Sequence, residues 1–274
     1  METLEGKCRA QQKAFDYTID TNKFILCHID GRSFSKKIKN KFEKPFDDNF
    51  INMMNEVAVY LCQSIQGAQF AYVQSDEITL VLKKLNPEGD IFFGGRLCKM
   101  QSIIASLATS KFMRLMIASE IAETGDVDVE EGPLYQFDCK VWTVDTPNDV
   151  MAWILFRNID CVRNSKQQTA QTYLPHKSLL NFTTDEQIEI LKNQKGIFWH
   201  DFDNGKKYGR IVMKVVVEGL KELSNGNEAH FTRSKWKVRP FFDLTITEHR
   251  EALKERFPFL KGENKDGIES QADC

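Results

Sequence analysis

Two kinds of apolar spacing alternate along this chain. Short runs of β-prone residues bounded by glycine or polar turns predict strands. Longer stretches with apolar residues three and four apart predict helices. Residues 23–30, KFILCHID, read as a strand that Gly31 ends. Residues 47–66 read as a helix with an acidic first turn and Gly67 as its cap. Residues 69–82, QFAYVQSDEITLVL, read as two strands around a tight polar centre at Gln74–Glu77, which is a hairpin pattern. A helix over 96–121 follows, whose small residues Ala105, Ser106, Ala108 and Ser110 permit close packing, and then a strand over 134–144.

Around this centre the pattern is more polar. Residues 4–20 read as a polar helix and Lys36–Lys44 as a lysine-rich loop. A long helix over 147–174 opens on Pro147. A shorter helix over 183–194 has Thr183 or Thr184 as N-cap, with Glu186 or Gln187 completing a capping box. Strands over 211–218 and 235–246 and a helix over 247–256 complete the pattern. The order strand, helix, hairpin, helix, strand implies an α+β fold with a ferredoxin-like antiparallel sheet and packed helices. Polymerase palms and nucleotide cyclases share that layout, so the fold alone does not choose between them. The expected organisation is a palm-like catalytic core over 1–145, a helical and strand extension over 146–260 that completes it, and a disordered tail over 261–274.

Composition narrows the setting. With 274 residues, 42% of them hydrophobic, the chain suits one large domain or a core with an appended part. A net charge of −2 gives no global attraction for polyanions, so a nucleic acid would have to meet local basic clusters. The seven cysteines are odd in number and form no C-x-x-C pair. Cys27, Cys62, Cys98 and Cys161 sit among apolar residues and read as small buried thiols, which implies a reducing, cytoplasmic compartment, an organelle remaining open. The first residues, METLEGKCRAQQKAF, lack the apolar stretch of a signal peptide, and no apolar run reaches membrane-span length. His176, His200, His230 and His249 lack ligand spacing, so no zinc site is expected.

The candidate chemistry lies in carboxylates. On the first strand Phe24, Leu26, His28 and Asp30 share one face, and Asp30 stands at the strand end. Asp76 and Glu77 stand at the hairpin tip. If the strand pairs beside the hairpin, these groups converge at one edge of the sheet. Hard divalent cations take oxygen ligands of this kind, one or two of them carboxylates. Taken singly, each motif has a bland alternative: Asp before Gly makes turns, and Ser-Asp-Glu at a hairpin tip is ordinary solvated polarity.

Residues 28–48, HIDGRSFSKKIKNKFEKPFDD, and 71–82, AYVQSDEITLVL, resemble the tRNA-histidine guanylyltransferase family, over roughly residues 20–180 and weakly through Lys206–Arg210. Members add nucleotides in the 3′-to-5′ direction on a polymerase-like palm and assemble as tetramers. The resemblance implies that Asp30 and Asp76 hold two Mg²⁺ ions, with the Gly31 carbonyl as a further ligand and Glu77 supporting the metal site. Gly31, Arg32, Ser33, Phe34 and Ser35, with Ser75, would hold the incoming nucleoside triphosphate, and Lys44 would contact the activating ATP or GTP or the RNA 5′ end. The chain departs from the family in two places. His28 stands where Arg is usual, and VRNSKQQ at 162–168 replaces a His-Ile-Asn-Asn-Leu-Tyr-Asn motif, keeping only Asn164. That pattern resembles the like-protein branch, which repairs 5′-truncated tRNA by templated addition. Strict addition of a single G to tRNA-histidine, a palm-type nucleotide cyclase and a silent RNA-binding module are the alternatives.

Basic clusters supply candidate RNA contacts: Arg157 and Asn164 on the long helix, Lys207 and Arg210 in a loop, and Arg233, Lys235, Lys237 and Arg239 in strict alternation. An extended chain places the last four on one face, with Trp236 and Val238 opposite as anchors. Such cations give salt-dependent, sequence-independent binding, although an edge rich in Lys also guards against aggregation. Arg157, Asp160, Asn164, Gln167 and Gln171 follow helical spacing, as a stripe facing either a cleft or water.

Overall fold

The computed structural model describes residues 3–38, 41–86, 88–126, 132–222 and 228–261. The expected tail lies outside the described residues, apart from Lys261, and so does Lys39 of the lysine-rich loop. The strands are β1 (Phe24–Gly31), β2 (Ala68–Gln74), β3 (Glu77–Leu82), β4 (Phe137–Val144), β5 (Arg210–Glu222) and β6 (Glu228–Pro240). They form one sheet in the order β4-β1-β3-β2-β5-β6, with every neighbouring pair antiparallel. The helices are α1 (Leu4–Lys13), α2 (Phe34–Lys37), α3 (Asp48–Ser64), α4 (Leu97–Thr124), α5 (Pro147–Tyr173), α6 (Thr184–Lys195), α7 (Asn204–Lys207) and α8 (Thr247–Arg256).

Strand alternation sorts the core into two layers. Ile25, Cys27 and Ile29 of β1 join Ala71, Val73, Ile78 and Leu80 beneath α3 and α4. Phe24 and Leu26 join Phe70, Tyr72 and Val81 on the other face, with α5 residues Val150, Met151 and Ile154. Helix α3 begins because Asp47 accepts a hydrogen bond from the Phe50 amide, and it buries Phe50, Met54, Val57 and Leu61 at helical spacing. Helix α4 packs through Met100, Ile104, Ala108, Phe112 and Met116. Of its small residues only Ala108 is buried, while Ser106 and Ser110 face outward. Both long C-terminal helices start on capping boxes, Thr146 with Asp149 in α5 and Thr183 with Glu186 in α6.

Several boundaries differ from the sequence pattern, and the strand expected over 235–246 ends at Pro240. Helix α1 stops at Lys13 because it buries nothing that would hold a longer helix. The lysine-rich segment contains the short helix α2, anchored by the buried Phe34. Strands β5 and β6 reach Glu222 and Glu228, since their mutual ladder continues beyond the residues that the sheet buries. No described helix is long and apolar enough to cross a membrane.

Candidate active site

The end of β1 and the β2–β3 turn meet at one edge of the sheet. Asp30 is the cross-strand partner of Glu77 on one side and of Asp138 on the other, so three carboxylates share one face in register. Asp76 occupies the turn beside them. Its Oδ2 lies 2.7 Å from the place a Cβ on Gly31 would take, so only glycine admits this approach. Ser75 turns the chain with φ of 42°, and Ser33 after Gly31-Arg32 has φ of 58°.

Burial and mutual repulsion destabilise these charges. The Asp76 carboxyl is pushed up to about 6, first by burial, with Asp30 and Glu77 adding to the rise and Ser75 opposing it. Asp30 is raised too, by burial and then by Glu77. Among the described residues neither carboxylate has an ion-pair partner, which suits them to a cation. No group of three or more His, Cys, Asp or Glu side chains stands in metal-holding proximity there. Two carboxylates and a backbone carbonyl nevertheless fit Mg²⁺, which keeps waters and phosphate oxygens in its remaining positions.

Glu77 is committed elsewhere. Arg157 Nη2 donates to Glu77 Oε1 at 2.9 Å and Oε2 at 2.6 Å, and Gln74 Nε2 donates to Oε2 at 2.9 Å. The same Nη2 donates to Asp160 Oδ2 at 2.8 Å, which also accepts from Asn164 Nδ2 at 3.2 Å. The guanidinium thus holds both oxygens of Glu77, which was expected to support the metal site, and it ties Arg157, expected to meet RNA, to the carboxylate turn. The polar stripe of α5 therefore faces the site along Arg157, Asp160 and Asn164.

A cavity opens beside the turn, lined among others by Lys44, Asp47, Phe50, Gln74, Ser75 and Asn164. Asp47 fixes its wall, accepting from the Glu43 and Phe50 amides. Lys44, Ser75, Arg32 and Ser35 are exposed near this edge, whereas the Phe34 ring is buried among Phe112, Tyr135 and Phe137. Phe34 can thus offer a ligand only its backbone. His28 is held below its ordinary pKa by burial and by Arg157, and it packs edge-on against Trp153.

The basic residues divide. Arg233, Lys235, Lys237 and Arg239 are exposed along β6, while Trp236 and Val238 pack against the core. Lys207 and Arg210 are buried, at 7% and 6% exposure. Lys207 donates to the His200 carbonyl at 2.7 Å, and Arg210 to Asn55 Oδ1 at 3.0 Å. Expected to meet RNA, these two cations are largely buried and hold backbone and side-chain oxygens around the start of β5, although both also line a pocket there. Sequence reasoning missed Asp138 and the Asp47 wall. The period-2 pattern of the 134–144 strand carried a signal for Asp138, and an acidic residue one position before the α3 helix carried one for Asp47.

Residues 7–145 match the profile of the family described as "Thg1: tRNAHis guanylyltransferase". A probable tRNA(His) guanylyltransferase of Drosophila melanogaster is 35% identical over 219 residues, covering 75% of this chain and 72% of its own. The chain belongs to the tRNAHis guanylyltransferase family. As a member of that family it is a nucleotidyltransferase. Its fold is that of a bacterial tRNA(His) guanylyltransferase (Thg1)-like protein solved in complex with ATP. That match has a TM-score of 0.76 at 24% identity and covers 92% of this chain and 98% of the other. The bacterial complex with GTP matches with a TM-score of 0.73 at the same identity, over 94% and 99% of the two chains.

Proposed function

We propose that this family member activates a tRNA 5′-monophosphate with ATP or GTP and then adds nucleotides to that end in the 3′-to-5′ direction, repairing 5′-truncated tRNA. The convergence of Asp30 and Asp76 beside the cavity that Lys44 and Ser75 line carries the reading. In the first step an RNA 5′-phosphate oxygen attacks the α-phosphorus of the triphosphate, and pyrophosphate leaves. In the second, the 3′-hydroxyl of an incoming triphosphate attacks the RNA 5′-phosphorus, and the nucleoside monophosphate leaves. Both steps are phosphoryl transfers, in which positioning and charge neutralisation supply most of the catalysis.

Asp30 and Asp76, with the Gly31 carbonyl, would hold two Mg²⁺ ions. Bound there, the metal neutralises phosphate oxygens and favours the deprotonated nucleophile. Gly31, Arg32, Ser33, Ser35, Ser75 and the Phe34 backbone would hold the triphosphate, helped by first-turn amides of α2 that lack intrahelical acceptors. Lys44, exposed at the cavity rim, suits the phosphates of the activating nucleotide. Glu77 acts through Arg157, as a positioning residue. Arg233, Lys235, Lys237 and Arg239 would track RNA phosphates, since alternate residues on a strand repeat about every 7 Å. The family resemblance also supports a homotetramer, and the free cysteines support a cytoplasmic setting.

The VRNSKQQ segment supports templated repair, and the naming of the Drosophila relative favours single-G addition. One assay separates them. A 5′-monophosphorylated tRNA lacking its first nucleotide is incubated with each triphosphate separately. Addition obeying Watson–Crick pairing with the 3′ strand is the expected result, while G addition opposite any base overturns the repair reading. Asp30→Ala and Asp76→Ala are expected to abolish activation and addition alike. Wild-type addition by either variant would refute the metal assignment.

A further inference from the structure

The reaction has two substrates, and the sheet gives Asp30 two flanks. The cavity at Ser75 lies on the β2 side of β1 and β3. On the other side lies β4, whose Asp138 and Lys140 stand in register with Asp30 and His28. Lys140 is exposed, and its ammonium has no hydrogen-bond or ion-pair partner among the described residues. Its charge reaches His28, as does that of Arg157.

Helix α5 sets an aromatic surface beside this flank. Trp153 packs against Trp142 at 4.7 Å and His28 at 5.6 Å between ring centroids, and its Nε1 donates to Thr79 Oγ1 at 3.2 Å. Phe156 packs against Trp153 at 5.6 Å and yet remains 54% exposed. The Arg157 guanidinium, which holds Glu77, lies 5.0 Å from the Phe156 ring centre. Ile159, one turn on, is 49% exposed. The ring is thus fixed by two neighbours, open on the remainder of its surface, and tied through Arg157 to Glu77, the cross-strand partner of Asp30.

Resting on the function proposed above, we infer that Phe156 is the platform on which the terminal base pair of the RNA stem stacks, with Lys140 receiving the 5′-phosphate. A nucleotide in the Ser75 cavity leaves the β4 flank as the approach for the second substrate. Any base offers a π-face to a fixed aromatic ring, so the platform accepts stems of any sequence, as templated repair requires. Lys140 supplies the exposed positive charge of this flank, in register with His28 and two residues along β4 from Asp138. Asp138 belongs to the carboxylate side and leaves Lys140 as the cation of this flank.

The test uses the full chain and a blunt RNA hairpin carrying 2-aminopurine at its 5′ end, without triphosphate. Stacking on Phe156 quenches the fluorophore on binding. Phe156→Ala is expected to lose the quenching and to bind roughly 5- to 150-fold more weakly, the range for one aromatic stack. Phe156→Trp keeps both. Lys140→Gln is expected to lose the preference for a 5′-monophosphate end over a 5′-hydroxyl end. ATP and GTP binding and the melting temperature stay at parental values in all three. Parental quenching and affinity in Phe156→Ala overturn the inference. So does a change of that variant's oligomeric state in light scattering with quenching intact, which would make the patch a contact between copies. Because quenching needs no turnover, failure here is separate from failure of nucleotide addition by the parent.

Discussion

Asp76 holds its proton to about pH 6 because burial removes the water that would stabilise its charge. Its ordinary value is 3.8. Between those values the folded chain binds a proton that the unfolded chain releases, so folding stability falls as pH rises through this window. The loss is complete above pH 6 and absent below pH 3.8. In EDTA at pH 8, Asp76→Asn is therefore expected to melt higher than the parent, by on the order of 1–2 kcal/mol after allowance for the open side of the turn. At pH 3.5 the gain vanishes. Millimolar Mg²⁺ should reverse the order at pH 8, because binding stabilises only the chain that keeps the carboxylate. A variant that melts below the parent in EDTA at pH 8 would mean that Asp76 already has a cationic partner. The same residue scale marks the limit of reading by residue type. The meeting of Asp30 and Asp76 was legible, since strand period and hairpin pattern bring them together, whereas the close approach that requires glycine at Gly31 was not. The fates of Arg157, Lys207 and Arg210 were not. Their partners lie far away in sequence, as with Asn55 for Arg210, and a cation in a sequence looks the same whether it ends in water or in a buried hydrogen bond.

At the scale of elements, the strongest sequence signals were those with local causes. The Thr183–Glu186 box starts α6 where the pattern placed it, and β1, β2 and β3 fall within a residue or two of their expected spans. The β5–β6 hairpin was only half legible, because its outer ladder is backbone pairing between polar residues and leaves no apolar period. What did show was the alternation of Arg233, Lys235, Lys237 and Arg239, which the structure leaves exposed on one face. Exposed strand cations release counterions from a nucleic acid without contributing to the core. Replacing each by Gln is expected to lower the slope of log affinity for tRNA against log salt by roughly 0.7–0.9, with little change in melting temperature. All four replacements together should approach the sum. An unchanged slope in the fourfold variant would remove β6 from the RNA surface and leave its lysines as guards of a sheet edge.

The whole molecule is joined more tightly than the family match over 7–145 suggests. A division at residue 145 cuts a continuous sheet, since β5 pairs with β2 through Phe70↔Met213 and Tyr72↔Ile211. It also strips one face of that sheet. Phe24, Leu26, Phe70, Tyr72 and Val81 are covered by Val150, Met151, Ile154, Phe241, Leu244 and Phe257. Asn158, fully buried, binds two later segments: its Oδ1 accepts from the Leu244 amide at 2.8 Å, and its Nδ2 donates to the carbonyls of Tyr208 at 3.0 Å and Phe242 at 3.2 Å. The carboxylate edge depends on the same region, for Arg157 on α5 holds Glu77. Fully burying a large apolar side chain stabilises by about 1.5–3 kcal/mol, so exposing five of them costs about as much as the whole net stability of a typical domain. A fragment ending at residue 145 is therefore expected to show no cooperative thermal transition by circular dichroism and to bind a hydrophobic dye, whereas the full chain melts in one step. A cooperative melt of the fragment would show that the first 145 residues fold alone, and would make the C-terminal half an appended module.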